Sequence, residues 1–353
     1  MYKDIKVLSF NIKTYKIELM NKDYIPVCIR HKDGVYSFDS IRQFCSVRVL
    51  SMNRANCKEI LTSCGVEDRS DINICIMSRA LSFRDNYWIK SELSNEKWCN
   101  INLYANSFSG QVAQVALTGV TDTIDMSDRL YTGELSNKGT RPKCFIRRDN
   151  DILLFKEETV EEIKSEIVSA VIASVLGLKS PTRYWYERLL ERNCSVCKIL
   201  TSESSELVHY RDIMSYNNEV IMSYNSSSYK FLMSLDTEQF LLMQIFDYIT
   251  LNTDRNRDNF GVEMCNNDFV GLYPVYDHDS CFKGKGTNGL YFPTGITFNK
   301  TIKFLKSLNE YNLVRARVNR AVEYFSSDKF KEIFLKFKSL QIYELMLKRL
   351  KVL

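Results

Sequence analysis

Apolar positions along this chain change their spacing several times, and the changes divide it into elements. Up to about residue 45 the apolar residues fall in short patches: Ile5 and Val7, Phe10 and Ile12, Tyr24 to Arg30, and Val35 to Phe38. Polar residues separate them, a pattern that predicts short strands of a small antiparallel sheet. Residues 47–63 (VRVLSMNRANCKEILTS) predict a helix with Ile60 and Leu61 on its apolar face and Gly65 just beyond. The stretch from Ser78 to Leu103 is aromatic and rich in turn residues, and Trp88 and Trp98 are read as core anchors.

From Tyr131 the character changes. YTGELSNKGTRPK sets Gly133 and Gly139 among small polar residues, and two apolar runs, 144–146 and 152–155, then flank Asp149-Asn150. This predicts a loop followed by a hairpin, with Lys156 at the end of its second strand. Thr159-x-x-Glu162 is a capping box, opening a helix whose stripe is Ile163, Ile167, Val168, Val171, Ile172 and Val175. Gly177 and Pro181 close it, and Glu166 lies beside the stripe. Residues 193–200 predict a strand. Asp236-x-x-Gln239 caps a helix that is apolar almost all round from Phe240 to Leu251, as a central buried helix would be. Residues 300–353 predict two or three amphipathic helices.

The chemistry-bearing groups cluster after the buried helix. Asp254 and Asn259 stand five residues apart in a polar turn, and Asp277 follows 18 residues later, after an expected Tyr-Pro-Val-Tyr strand. Phosphoryl transfer requires a carboxylate to accept the proton of an attacking hydroxyl. It also requires an amide oxygen and a second carboxylate to hold Mg²⁺ against phosphates. The D-x-x-x-x-N spacing suits the first pair, and two protein oxygens suffice for Mg²⁺, which keeps waters and phosphates. A solvated turn rich in Asp, Asn and Arg would show the same residues. A loop and two strands ending on Lys156 suit a triphosphate, and Glu166 suits the fixing of that lysine. An exposed strand-end lysine and a solvated helix-edge glutamate are the plain alternatives.

Composition narrows the class. At 353 residues, 45% hydrophobic and 12% aromatic, the chain is long enough for two domains and too apolar for disorder. Forty-eight basic against 43 acidic residues leave a net charge of +5, too small an excess to argue for nucleic acid. No apolar run is long enough to span a bilayer, and the first residues carry no signal-peptide pattern. The expectation is therefore a cytoplasmic protein, off the membrane and not in direct contact with nucleic acid. Eleven Cys, an odd number, read as reduced thiols, and Cys194 and Cys197 as two positions of one strand. With only His31, His209 and His278, a histidine-rich metal centre is not expected.

Taken in order, LSFRDNYWI, TGELSNKGTRPK, LLFKEE, EIVSAVIASVLG, ELVHYRDIM, NTDRNRDNFG and PVYDHDS resemble the HipA-like serine/threonine kinases, most closely stand-alone Firmicutes-type members. The resemblance covers roughly residues 46 to 350. It implies an α+β, bilobal protein-kinase-like fold with a small β-rich N-lobe (126–205), a mostly helical C-lobe (206–353) and an N-terminal α/β subdomain (1–125). It implies ATP and Mg²⁺ as cofactors, Asp254 as base, Asn259 and Asp277 as metal ligands, and Lys156 as the phosphate-binding lysine. Glu166, Gly133, Gly139, Thr140 and Asn256 complete the nucleotide-binding set. Asn256 stands where the family often has His, and Ser136 and Thr140 are candidates for self-phosphorylation. A protein substrate is implied, as is a possible antitoxin or regulator on a separate chain. A kinase-like binding module without turnover and a lipid or small-molecule kinase are the competing readings.

Overall fold

A computed structural model describes residues 1–31, 34–120, 132–284 and 287–353. The fold is mixed α and β. The chain divides into two compact units, the first comprising Met1–Glu157, Glu187–Val208 and Cys265–Asn267. The second comprises Glu158–Tyr186, His209–Met264 and Asp268–Leu353. The expected boundary between residues 125 and 126 lies outside the described residues, as does the Tyr131 onset of the glycine loop.

In the first unit the small sheet expected over residues 1–45 is only a ribbon, β1 (Leu8–Phe10) against β2 (Ile17–Leu19). The apolar patch from Tyr24 to Arg30 forms two 3-10 turns, Lys22–Tyr24 and Val27–Ile29. Phe38 starts a helix, α1 (Phe38–Ser46), capped by Ser37. The helix expected over 47–63 is confined to α2 (Cys57–Ser63), because Asn56 takes a left-handed φ of 59° and breaks it from the preceding turn. Then come α3 (Asp71–Met77), α4 (Trp98–Ile101) and α5 (Gly110–Thr118). Trp88 and Trp98 are buried in an apolar cluster with Phe83, Leu103 and Phe145, as anchors should be.

The hairpin is where the pattern put it. β3 (Lys143–Arg148) pairs antiparallel with β4 (Asp151–Glu157), and Asp149 at the turn has φ 55°. In the four-stranded sheet the order is β3, β4, β6 (Arg192–Lys198), β5 (Tyr184–Leu189). Cys194 and Cys197 are strand positions on β6, and no disulfide joins any of the 11 cysteines.

The second unit is mostly helical. α6 (Val160–Leu176) starts on the Thr159–Glu162 capping box and ends on Gly177 at φ 88°. Its buried face is wider than the expected stripe. Small Ser165, Ser169, Ala170 and Ala173 allow close packing, and both Glu162 and Glu166 are buried. After β7 (Glu206–His209), whose first three residues belong to the first unit, come α7 (Tyr210–Tyr216) and α8 (Ser227–Leu235). α9 (Thr237–Thr250) is buried at every position from Phe240 to Thr250, as predicted for the central helix. β8 (Gly261–Cys265) and β9 (Asp268–Leu272) are neighbours in a sheet, and β9 ends at Leu272. The strand expected over Tyr273–Tyr276 does not form, since Pro274 has no N–H to give a ladder. A two-residue ribbon, β10 (Leu290–Tyr291) with β11 (Ile296–Thr297), precedes four terminal helices rather than two or three. These are α10 (Phe298–Ser307), α11 (Asn312–Phe325), α12 (Asp328–Leu335) and α13 (Leu340–Leu350). Among the described residues no helix is long and apolar enough to cross a membrane.

Candidate active site

The polar loop after α9 is built from inside outwards. Leu251 turns the chain out of the helix with φ 50°, and the buried Asn252 accepts the Asp254 N–H at 3.1 Å. Arg255 then turns back into the protein, where it is 1% exposed. Its Nε and Nη2 grip Asp247 of α9 at 2.9–3.2 Å. Its Nη1 donates to the carbonyls of Asn259 at 2.8 Å and Tyr276 at 3.0 Å. One buried guanidinium thus holds the loop carrying Asp254 and Asn259 beside the segment that leads into Asp277. A buried charge of this kind persists only when paired and hydrogen-bonded. Burial lowers the Arg255 pKa, but the Asp247 carboxylate outweighs it and leaves the guanidinium above its ordinary value.

At the surface of this loop Asp254 is exposed and flanked by two amides. Asn256 Nδ2 donates to its Oδ1 at 3.1 Å, and Asn259 Nδ2 donates to its Oδ2 at 3.2 Å and its carbonyl at 2.8 Å. Partial burial raises the Asp254 pKa, and the charges of Asp277 and Asp279 raise it further against the pull of the two amides. Among the described residues no group of three His, Cys, Asp or Glu could hold a metal unaided.

Asp277 sits in left-handed backbone, φ 59°, and its N–H donates to the Tyr184 hydroxyl at 2.9 Å. The next N–H, that of buried His278, donates to Glu166 Oε2 at 2.7 Å. The His278 ring stands edge-on to Tyr184 and Phe246. Glu166 is thus not a solvated residue on a helix edge; within its own unit it holds the backbone beside Asp277. Further on, Lys283 pairs with Glu162 at 2.6 Å, and Phe282 N–H donates to the Thr250 carbonyl at 2.7 Å.

The remaining candidates belong to the first unit. Lys156 lies on β4 opposite Lys143 of β3 and Ser195 of β6. In the glycine loop a short 3-10 turn covers Glu134–Ser136, and Ser136 Oγ donates to the Gly133 carbonyl at 3.1 Å. Gly133 packs so closely on the Phe83 ring that a Cβ would lie 2.4 Å from it, and Gly139 takes φ 102°. Thr140 gives its carbonyl to Ala55 N–H at 2.8 Å. The loop is held by buried Arg54, which reaches the carbonyls of Glu134, Asn137 and Lys143 and the Glu134 carboxylate. Sequence reasoning missed Arg54, Glu134, Tyr184 and Tyr291, and gave Arg255 no role. Only the last had a signal, an Asp in an otherwise apolar helix eight residues before an Arg.

No family model matches the sequence, and no curated relative matches it. Among solved structures, the Helicobacter pylori proinflammatory kinase CtkA is 15% identical, covers 59% of this chain and 88% of its own, and has a TM-score of 0.39, too low to argue from. A Shewanella oneidensis MR-1 structure of the toxin–antitoxin system HipA, HipB and its operator DNA is 14% identical. It covers 100% of this chain and 96% of its own, with a TM-score of 0.62. Because operator DNA is part of that structure, the expectation of no nucleic-acid contact gains no support from it. What the likeness establishes is the architecture: this chain has a HipA-like kinase fold.

Proposed function

We propose that this protein is an ATP- and Mg²⁺-dependent serine/threonine kinase of HipA-like type, acting on a protein hydroxyl. The observation that carries the reading is the pairing of Asp254 with Asn259, held by Arg255 next to the segment into Asp277. Asp254, exposed and with its pKa raised, is placed to take a proton from an incoming hydroxyl. Asn259, whose amide nitrogen is on Asp254, offers its Oδ1, and Asp277 its carboxylate, to a divalent ion. Bound Mg²⁺–ATP would supply the phosphoryl group and offset the charge that Asp277 and Asp279 place on Asp254. Lys156, Gly133, Gly139, Thr140, Asn256 and Glu166 are assigned to nucleotide binding or its support. The fold likeness to a structure with HipB supports a separate antitoxin chain as a partner.

The test is γ-labelled ATP with Mg²⁺, comparing wild type with Asp254→Asn and Asp277→Asn. Label on the wild-type chain or on added protein, lost at least about a thousandfold in both variants, is expected. Near wild-type transfer by either variant removes the assignment.

A further inference from the structure

Tyr291 lies on β10, 14 residues after Asp277, and is 1% exposed. Its hydroxyl donates to Asp247 Oδ2 at 2.6 Å. Asp247 is itself fully buried, and both its oxygens bind Arg255. The chain of contacts continues through Arg255 Nη1 to the carbonyl of Asn259 and to that of Tyr276, the residue immediately before Asp277. Burial and the Asp247 charge hold the Tyr291 phenol well above its usual pKa, so it remains a donor at any working pH.

We propose that Tyr291 is a positioning residue that keeps Asn259 and Asp277 in register through Asp247 and Arg255. The proposal rests on the phosphotransfer reading above. The guanidinium is a rigid fork, and a shift of its carboxylate partner moves two loops at once. Among the described residues, Tyr291 is the hydrogen-bond donor to Asp247 that comes from beyond Asp277. The seating of the β10–β11 ribbon is thereby relayed to the proposed metal-ligand pair. Tyr291 touches no reacting atom, and its effect is on spacing.

The test compares Tyr291→Phe with Tyr343→Phe, which removes another buried hydroxyl of the same unit, bonded to the Phe325 carbonyl at 2.8 Å. Mn²⁺ binding in the presence of a non-hydrolysable ATP analogue, read by electron paramagnetic resonance, should weaken about tenfold in Tyr291→Phe. Amide exchange at Asp277 and His278 should quicken, and kcat/KM for metal–ATP should fall, with KM rising by about the factor by which Mn²⁺ binding weakens. Tyr343→Phe should change none of these. If Tyr291→Phe behaves as Tyr343→Phe does, the relay is overturned. If the wild type neither binds Mn²⁺ nor transfers phosphate, yet Tyr291→Phe still quickens exchange at 277 and 278, the kinase reading falls and the relay stands.

Discussion

Each unit of this protein fixes its principal loop with a buried arginine on a buried carboxylate, and the two arrangements are inverted. In the first unit the acid, Glu134, belongs to the loop, and Arg54 reaches it from 80 residues away. In the second the arginine, Arg255, belongs to the loop, and the acid, Asp247, is set in α9. Arg54 gathers three carbonyls of one segment, whereas Arg255 bridges two segments. Replacing one partner strands the other, and the two stranded groups are not equivalent. A stranded carboxylate can take up a proton, but a stranded guanidinium cannot lose one.

The largest effect should come from Asp247→Asn. It leaves Arg255 buried without a counter-charge and should cost about 4 kcal/mol at any pH, since acid offers the guanidinium no relief. Chemical denaturation at pH 5 and pH 7 checks this, and a loss that shrank in acid would contradict it. Arg54→Met should cost about 3 kcal/mol at pH 7 but less in acid. Burial already raises the Glu134 pKa despite Arg54, so a proton-linked part of its stability is present at low pH and declines as pH rises through the folded value. Without Arg54 that value moves higher still, and acidification restores a neutral, tolerable group. A third buried acid, Glu206, calibrates both. It accepts a hydrogen bond from Asn86, and burial, then the Asp85 charge, push it up to about 7. Its contribution is whole below the ordinary carboxylate pKa and fades as pH rises to about 7. Wild-type stability should therefore drop about 2 kcal/mol between pH 5 and pH 7, and Glu206→Gln should flatten that slope.

The same contrast explains what was legible beforehand. The capping box at Thr159, the Asp149-Asn150 turn and the apolar run of α9 are local patterns, and the elements formed where those patterns lie. So did the D-x-x-x-x-N loop, whose Asp254 and Asn259 are bonded to each other. The Arg54–Glu134 pair has no local signature, because nothing near either residue marks the other. The first 63 residues were misread because their short apolar patches fit strands and turns of helix equally well. There Ser37 and Asn56, not apolar spacing, set where helices start. Pro274 should have excluded a strand before Asp277.

The left-handed backbone at Asp277 restricts which substitutions can report on its chemistry. Asp and Asn adopt this conformation with little strain, glycine with none, and most other residues only at a cost of about 1 kcal/mol or more. Asparagine therefore removes the charge and keeps the chain path, while alanine removes the charge and strains the path together. An alanine scan would overstate the importance of this carboxylate by the amount of that strain. The residue at 277 is constrained twice, by what its oxygens do and by how its peptide turns, and only the asparagine variant separates the two.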